Sequence, residues 1–353
     1  MNSLTPSPQL ADPTPGERMR ALLGHRMVWP VLALAAILVV DGLISPGFFN
    51  IRIVEGRLFG SLIDILYRTM PTATVALGMA VVIGTKGIDL SVGAVIAICG
   101  AVITWRLHMG DPPVLVLAAA LAAGLVCGLW NGLLVALLDI QPIVATLILM
   151  VSGRGIAQMI DLLYGGTDPS FTSDFFAALS TGHLAMLPSR LFLGAGIFAL
   201  LWLLMRRTAF GLFIEAVGGN AAAADLAGIN ARAIKLAAYL VSGLCAGFSG
   251  VVITADTHTS DPVSAGLYIE LDAILAVVIG GGSLAGGRVY LGLTVLGALV
   301  IQCLTTSILM SGVPPEYNLV VKAVVVLIVL LMQSRKLRVL MARAFSSPGA
   351  GSP

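Results

Sequence analysis

The sequence is short of charge. Its 353 residues hold 20 Lys and Arg and 18 Asp and Glu, 11% of the chain, less than half the share of an ordinary soluble domain. The formal charge of +2 comes with no basic tract, so nothing marks a nucleic-acid partner. There are four cysteines, Cys99, Cys127, Cys245 and Cys303, each inside an apolar run and without metal-type spacing. They read as small buried packing residues and give no disulfide framework. The four histidines, His25, His108, His183 and His258, are far apart and form no metal-ligating group. No G-x-x-x-x-G-K-[S/T] phosphate loop occurs anywhere, so the chain has no nucleotide site of that kind. No nucleophile, base and orienting group converge in the sequence, which argues against an enzyme.

What is present is apolar. Hydrophobic residues make up 58% and the mean hydropathy is +0.99, more apolar surface than a soluble fold can hide, so lipid is the solvent. The expected class is an all-α polytopic membrane protein of about ten transmembrane helices. Residues 1–27, rich in Pro and polar groups, read as a disordered cytoplasmic tail, and 28–333 as the transmembrane domain. The expected spans are Val28–Phe49, Ser61–Thr85, Ser91–Leu107, Pro113–Leu138, Pro142–Leu162, Pro188–Met205, Ile234–Ala255, Leu267–Gly282, Val289–Met310 and Tyr317–Gln333. Eight spans keep the same parity, and the Pro142 and Leu267 segments are the weakest, the latter being short for the ~20 residues a crossing needs. The small-residue pair Ala33 and Ala35 lies in the middle of the first apolar run, so that run is an uncleaved span and not a leader.

Basic residues gather in the first tail (Arg18, Arg20, Arg26), the segment 206–235 (Arg206, Arg207, Arg232, Lys235) and the basic C-terminal tail 334–353 (Arg335, Lys336, Arg338, Arg343). The positive-inside rule then places both termini in the cytoplasm. Arg52, Arg57 and Arg68 oppose the rule, although Glu55 and Asp64 accompany them, and an amphipathic segment along the membrane surface is expected there.

The segment Arg206–Lys235 is the longest clearly non-spanning stretch inside the apolar region. Asn220 is a good helix N-cap, Ala221 to Ala224 are strong helix formers, and Gly228 can adopt the left-handed conformation that ends a helix. The expected product is a short helix between spans six and seven, either a plain cytoplasmic loop with local helix or a docking element for a soluble motor.

Polar interruptions mark the remaining candidates. In TKGIDLSVGA (85–94), Lys86 and Asp89 flank Gly87; this is either a broken helix lining a solute pathway or a tight turn with Asp89 and Ser91 capping the next span. Asn131, beside Trp130 and Gly132, follows Gly124 and Gly128, a spacing that allows close helix contact with an Asn hydrogen-bonding across it. Gly243 and Gly247 repeat the spacing. Arg154 sits midway along a span and requires a carboxylate, carbonyl or water partner. Glu270 and Asp272 near a span start either face the pathway or complement the helix N-terminus. Tyr164–Pro188 is the longest expected outer loop, a surface that could receive a soluble partner. Gly280, Gly282 and Ala285 match a dinucleotide-binding spacing but lack its strand-helix context and downstream acid, and that reading is rejected.

Taken together, TKGIDLSVGA, WNGLLVALLDIQPIVATLILMVSGRGIAQ, GLFIEAVGGNAAAADLAGIN and ELDAILAVVIGGGSLAGG, in this order, resemble the permease subunits of bacterial sugar ABC importers of the ribose type. RLFGSLIDIL, GLYIELDAI and VKAVVVLIVLLMQS look most like the galactofuranose-type branch. The resemblance runs from about Val28 to Gln333 and implies several partners: a cytoplasmic ATPase docking on the central loop, a periplasmic sugar-binding protein, and a second permease, a distinct chain in galactofuranose-type systems. It implies an inner-membrane location and no cofactor held by this chain, ATP belonging to the ATPase. Candidate coupling residues are Glu215, Gly218, Gly219, Asn220, Ala224 and Gly228; candidate pathway residues are Asp89, Ser91, Asn131, Glu270 and Asp272. Other classes remain: an ABC permease for another pentose, a hexose or a branched-chain amino acid, and a secondary transporter, which would need coupling-ion carboxylates at mid-membrane.

Overall fold

The computed structural model describes residues 27–54, 56–163, 170–312 and 314–333. The expected tails 1–27 and 334–353 lie outside the described residues, Met27 excepted. A helix lies along each of the ten stretches expected to span. These helices are α1 (Val28–Ile44), α2 (Ser61–Gly84), α3 (Val92–His108), α4 (Pro113–Ala136), α5 (Pro142–Leu163), α7 (Ser189–Arg207), α10 (Ala231–Thr257), α11 (Ile269–Ile279), α12 (Leu291–Met310) and α13 (Pro315–Gln333). Between them lie the short α6 (Asp174–Ser180), α8 (Ala209–Gly219) and α9 (Ala221–Leu226). Among the described residues six helices, α2, α4, α5, α7, α10 and α12, are long and apolar enough to cross a membrane by length and composition. Helices α1 and α3 have 17 residues and α11 has 11.

The starts of these helices follow from local chemistry. Pro113 and Pro142 open α4 and α5, positions where a missing N–H costs nothing. Pro71 lies inside α2, where it removes the bond its N–H would have given the Tyr67 carbonyl and so weakens the helix one turn in.

Helix α10 is the centre of the bundle, packed against α2, α3 and α4. Its contact with α4 is the close approach expected from the glycine spacing. A Cβ on Gly243 would stand 2.3 Å from the Gly124 carbonyl oxygen, and one on Gly128 would stand 2.4 Å from the Tyr239 carbonyl oxygen. No larger residue fits at either position without moving a backbone.

Two connections take a definite form. Around residues 52–59, where an amphipathic segment was expected, the chain forms an antiparallel hairpin, β1 (Arg52–Val54) with β2 (Arg57–Phe59), in the register Val54↔Arg57. Gly56 at φ 73° supplies the turn, and the flanking Ile, Val, Leu and Phe favour strands. In the expected outer loop 164–188, the described part is compact. Phe176 of α6 is buried, and a two-residue hairpin, β3 (His183–Leu184) with β4 (Leu187–Pro188), leads into α7.

Candidate translocation and coupling sites

Helix α9 forms as its residues dictate. Asn220 Oδ1 accepts from Ala223 N at 3.1 Å, and Gly228 at φ 83° ends the turn. The chain re-enters through a second cap, Asn230 Oδ1 accepting from Ala233 N at 3.0 Å, while Asp225 Oδ1 accepts from Ala231 N at 2.9 Å. Ala224 is buried among Val217 and Ala231, whereas Leu226 at the tip is 92% exposed.

The preceding helix is locked onto two loops. Lys86 Nζ donates to the Gly219 carbonyl at 3.0 Å, and Gly287 N donates to the Gly84 carbonyl at 3.0 Å. Glu215 Oε1 accepts from Val289 N at 3.2 Å. A Cβ on Gly218 would lie 1.8 Å from the Gly84 carbonyl oxygen, so backbone meets backbone there. The end of α8, the α2–α3 turn and the loop before α12 therefore form one contact.

Behind that turn lies a buried polar node. Asp89 is 1% exposed, and Ser91 and Asn131 are fully buried. Asp89 Oδ1 accepts from Ser91 N at 3.1 Å, Ser91 Oγ at 2.7 Å and Asn131 Nδ2 at 3.4 Å; its Oδ2 accepts from Ser242 Oγ at 2.7 Å. Asn131 Nδ2 also donates to Ser91 Oγ at 2.8 Å. Thr146 Oγ1 reaches the Ile88 carbonyl at 3.3 Å. The node thus joins the α2–α3 turn to α4, α5 and α10. The turn reading of TKGIDLSVGA is visible: Lys86, at φ 66°, makes a tight turn, and Asp89 binds the backbone N–H two residues on. Yet its other donors come from helices far along the chain. In this conformation the node is sealed, and Asn131 Oδ1 has no hydrogen-bond partner among the described residues.

Arg154 finds carbonyl partners. Its Nη1 donates to Pro262 O at 3.1 Å, Val263 O at 2.9 Å and Ala265 O at 3.0 Å. Glu270 is buried at 4% exposure, and Gly93, at the start of α3, faces both: a Cβ there would stand 2.9 Å from Glu270 Oε2 and 3.4 Å from Arg154 Nη2. Asp272 is elsewhere, paired with Lys322 of α13 at 2.7 Å. The five candidate pathway residues therefore fall into three places: Asp89, Ser91 and Asn131 together, Glu270 with Arg154, and Asp272 with Lys322.

One cluster was not anticipated from the sequence. At the end of the bundle away from α9, Arg190 is 3% exposed and its Nη2 lies 3.0 Å from Asp256 Oδ1, with the Asp256 side chain 38% exposed. Nη2 also donates to Ser180 Oγ at 2.8 Å, Tyr67 OH donates to the same carboxylate oxygen, and the guanidinium stacks 3.6 Å from the centre of the Tyr67 ring. The available signal was a lone cation at a span start and a lone acid at a span end, each at the helix terminus whose dipole opposes it.

The chain matches the family described as branched-chain amino acid transport system, permease component, over residues 61–330. It is 52% identical over 317 residues to a galactofuranose transporter permease protein of Escherichia coli (strain K12), covering 88% of this chain and 92% of that one. A ribose import permease protein of the same strain is 36% identical, covering 87% and 93%. A fructose import permease protein of Bifidobacterium longum (strain NCC 2705) is 36% identical, covering 92% of each. No solved structure matches the chain. The ordered motifs, the helical bundle behind them and these matches over most of the chain agree, and the protein belongs to this family of transport-system permease components.

Proposed function

We propose that the chain is the permease subunit of an ATP-binding-cassette importer that moves a neutral monosaccharide, galactofuranose, across the bacterial inner membrane. The observation that carries this reading is the 52% identity to a galactofuranose transporter permease across 88% of this chain. The geometry supports a conduit driven from outside. Helix α9 offers a capped, apolar-tipped surface to a cytoplasmic ATPase, and the Gly218–Gly84 contact hands its displacement to the turn that carries Asp89.

A sugar presents only hydroxyls, and the Asp89 node is built of hydroxyls, an amide and a carboxylate that can exchange bonds with hydroxyls one for one. In the proposed cycle the node loosens as the cavity opens, and Asn131 Oδ1 supplies a free acceptor. A periplasmic sugar-binding protein delivers the solute, a second permease completes the pathway, and both termini face the cytoplasm.

The test is uptake of radiolabelled galactofuranose, ribose and galactopyranose, with leucine as an amino-acid control, in cells expressing this chain with its ATPase and binding protein. Galactofuranose uptake that vanishes when the ATPase is inactivated is expected. Uptake by this chain alone, driven by a proton or sodium gradient, overturns the importer reading; leucine uptake overturns the solute.

A further inference from the structure

We propose that Tyr67, Arg190 and Asp256 form a latch across the end of the bundle away from α9, and that opening of that end to the solute requires the latch to release; the proposal rests on the importer reading above. These are positioning residues, acting on helices and not on the sugar. Three observations carry it.

The first is placement. Arg190 is the second residue of α7 and Asp256 the penultimate residue of α10, so each charge sits at the helix end whose dipole repels it. Neither is favourable alone, and among the described residues each is held by the other and by Ser180 and Tyr67. One carboxylate oxygen gathers donors from α2, α6 and α7 onto α10, tying four elements at a single point.

The second is the weakness built into α2 beneath the latch. Pro71 stands one turn from Tyr67, removing a helix bond there, and Ser249 of α10 donates to the Pro71 carbonyl at 3.2 Å. Gly194 of α7 lets that helix close on the same turn, since a Cβ would lie 2.3 Å from Met70 Sδ. The turns of α2 before Pro71, which carry Tyr67, can therefore pivot while the stretch after it, buried from Ala73 to Gly84, stays embedded in the core.

The third is that the cluster is not fully satisfied. Arg190 Nε is buried without a hydrogen-bond partner among the described residues. The arginine borders a cavity of about 50 Å³ between α2, α7 and α10, whose walls include Thr74, Ser249 and Val252. A buried donor left unpaired favours release, and the mainly apolar cavity leaves the arginine loosely packed on that side. Asp256, more than a third exposed, is already in reach of water.

The experiment uses the complete importer in proteoliposomes, with Thr74→Cys as a reporter beneath the latch. A membrane-impermeant thiol reagent is added on the side of the binding protein, against a background of the chain without the reporter, whose four native cysteines are buried. Labelling is expected to be slow at rest and fast when the ATPase is trapped with vanadate. Tyr67→Phe, which keeps the ring and removes one bond, is expected to raise the resting rate about tenfold, and Asp256→Asn by more. Resting rates unchanged in both variants, or labelling indifferent to the ATPase state in the parent, overturn the latch. Should a variant be poorly inserted, the parent's trapped-against-resting comparison decides alone. Sugar uptake by the parent importer is measured in the same vesicles, so a wrong solute leaves the labelling result intact and a static cluster leaves uptake intact.

Discussion

Asp89 and Asp256 are both acids held inside one helical bundle, yet they are held by opposite means. Every donor to Asp89 is neutral: two serine hydroxyls, a backbone N–H and an amide. Asp256 is held by a guanidinium, a phenol and a serine. The difference decides what each can do. A hydroxyl donor can be replaced by a sugar hydroxyl at little cost, so the Asp89 node suits contact with a neutral cargo. The guanidinium cannot be replaced by anything a neutral sugar carries, so the second cluster suits a mechanical role.

The comparison breaks first at Arg190. Arg190→Leu strands the Asp256 carboxylate and is expected to lower stability by about 2 kcal/mol, less than for a fully buried pair because the Asp256 side chain is 38% exposed. Arg190→Leu with Asp256→Leu is expected to recover most of that stability without recovering regulated transport; thermal unfolding in detergent and uptake measure the two separately. If the double variant transports normally, the ion pair is ornamental. Asp89→Ala leaves Ser91, Ser242 and Asn131 without their acceptor and is expected to cost about 2 kcal/mol and abolish uptake. Asp89→Asn, which keeps one acceptor oxygen, is expected to retain more of the fold than of the transport. Gly218→Ala drives a methyl into the Gly84 carbonyl and is expected to reduce uptake while the ATPase still turns over, since the disturbance falls on the turn leading to Asp89, at the end of the bundle opposite Asp256. Thr146→Val removes a hydroxyl that reaches the Ile88 carbonyl at 3.3 Å and the Pro142 and Ile143 carbonyls of its own helix at 3.0 and 3.4 Å and is expected to cost about 0.5 kcal/mol, read as a slight fall in the unfolding temperature with transport kept.

How legible these features were depended on how local they are. The cap–helix–glycine pattern from Asn220 to Gly228 is determined within nine neighbouring residues, so the sequence specified α9 almost to its ends. The α4–α10 contact was legible because close approach leaves a glycine spacing on both partners. In TKGIDLSVGA the interruption was visible, but a turn and a pathway element carry the same local signature, and Asn131 and Ser242, contributed by two other helices, show that Asp89 is a hub. The Arg190–Asp256 pair left almost no trace, because two isolated charges at the ends of different spans become a pair only when the helices pack. At 52–59 the sequence left the form of the amphipathic segment open for a related reason: charges among apolar residues suit a surface helix or a strand pair equally, and Gly56 at φ 73° allows the hairpin turn.

The shortness of α11 has a consequence for how the chain tolerates the bilayer. Eleven residues at ~1.5 Å each reach roughly 16 Å, about half of the ~30 Å hydrocarbon layer, and the peptide before Ile269 runs as irregular turns, with isolated bonds such as Ala265 N to Asp261 O and Leu267 N to Ser264 O and no continuous helix, close to Gly93 and the buried Glu270. Bare peptide carbonyls are intolerable to lipid. Arg154 answers three of them with one nitrogen, and in return they hydrate, in water's place, a cation that the membrane would otherwise expel. The protein thereby carries its own polar solvent to the depth where an unwound backbone is needed, and a charge that looked anomalous along α5 turns out to be what lets the chain unwind there.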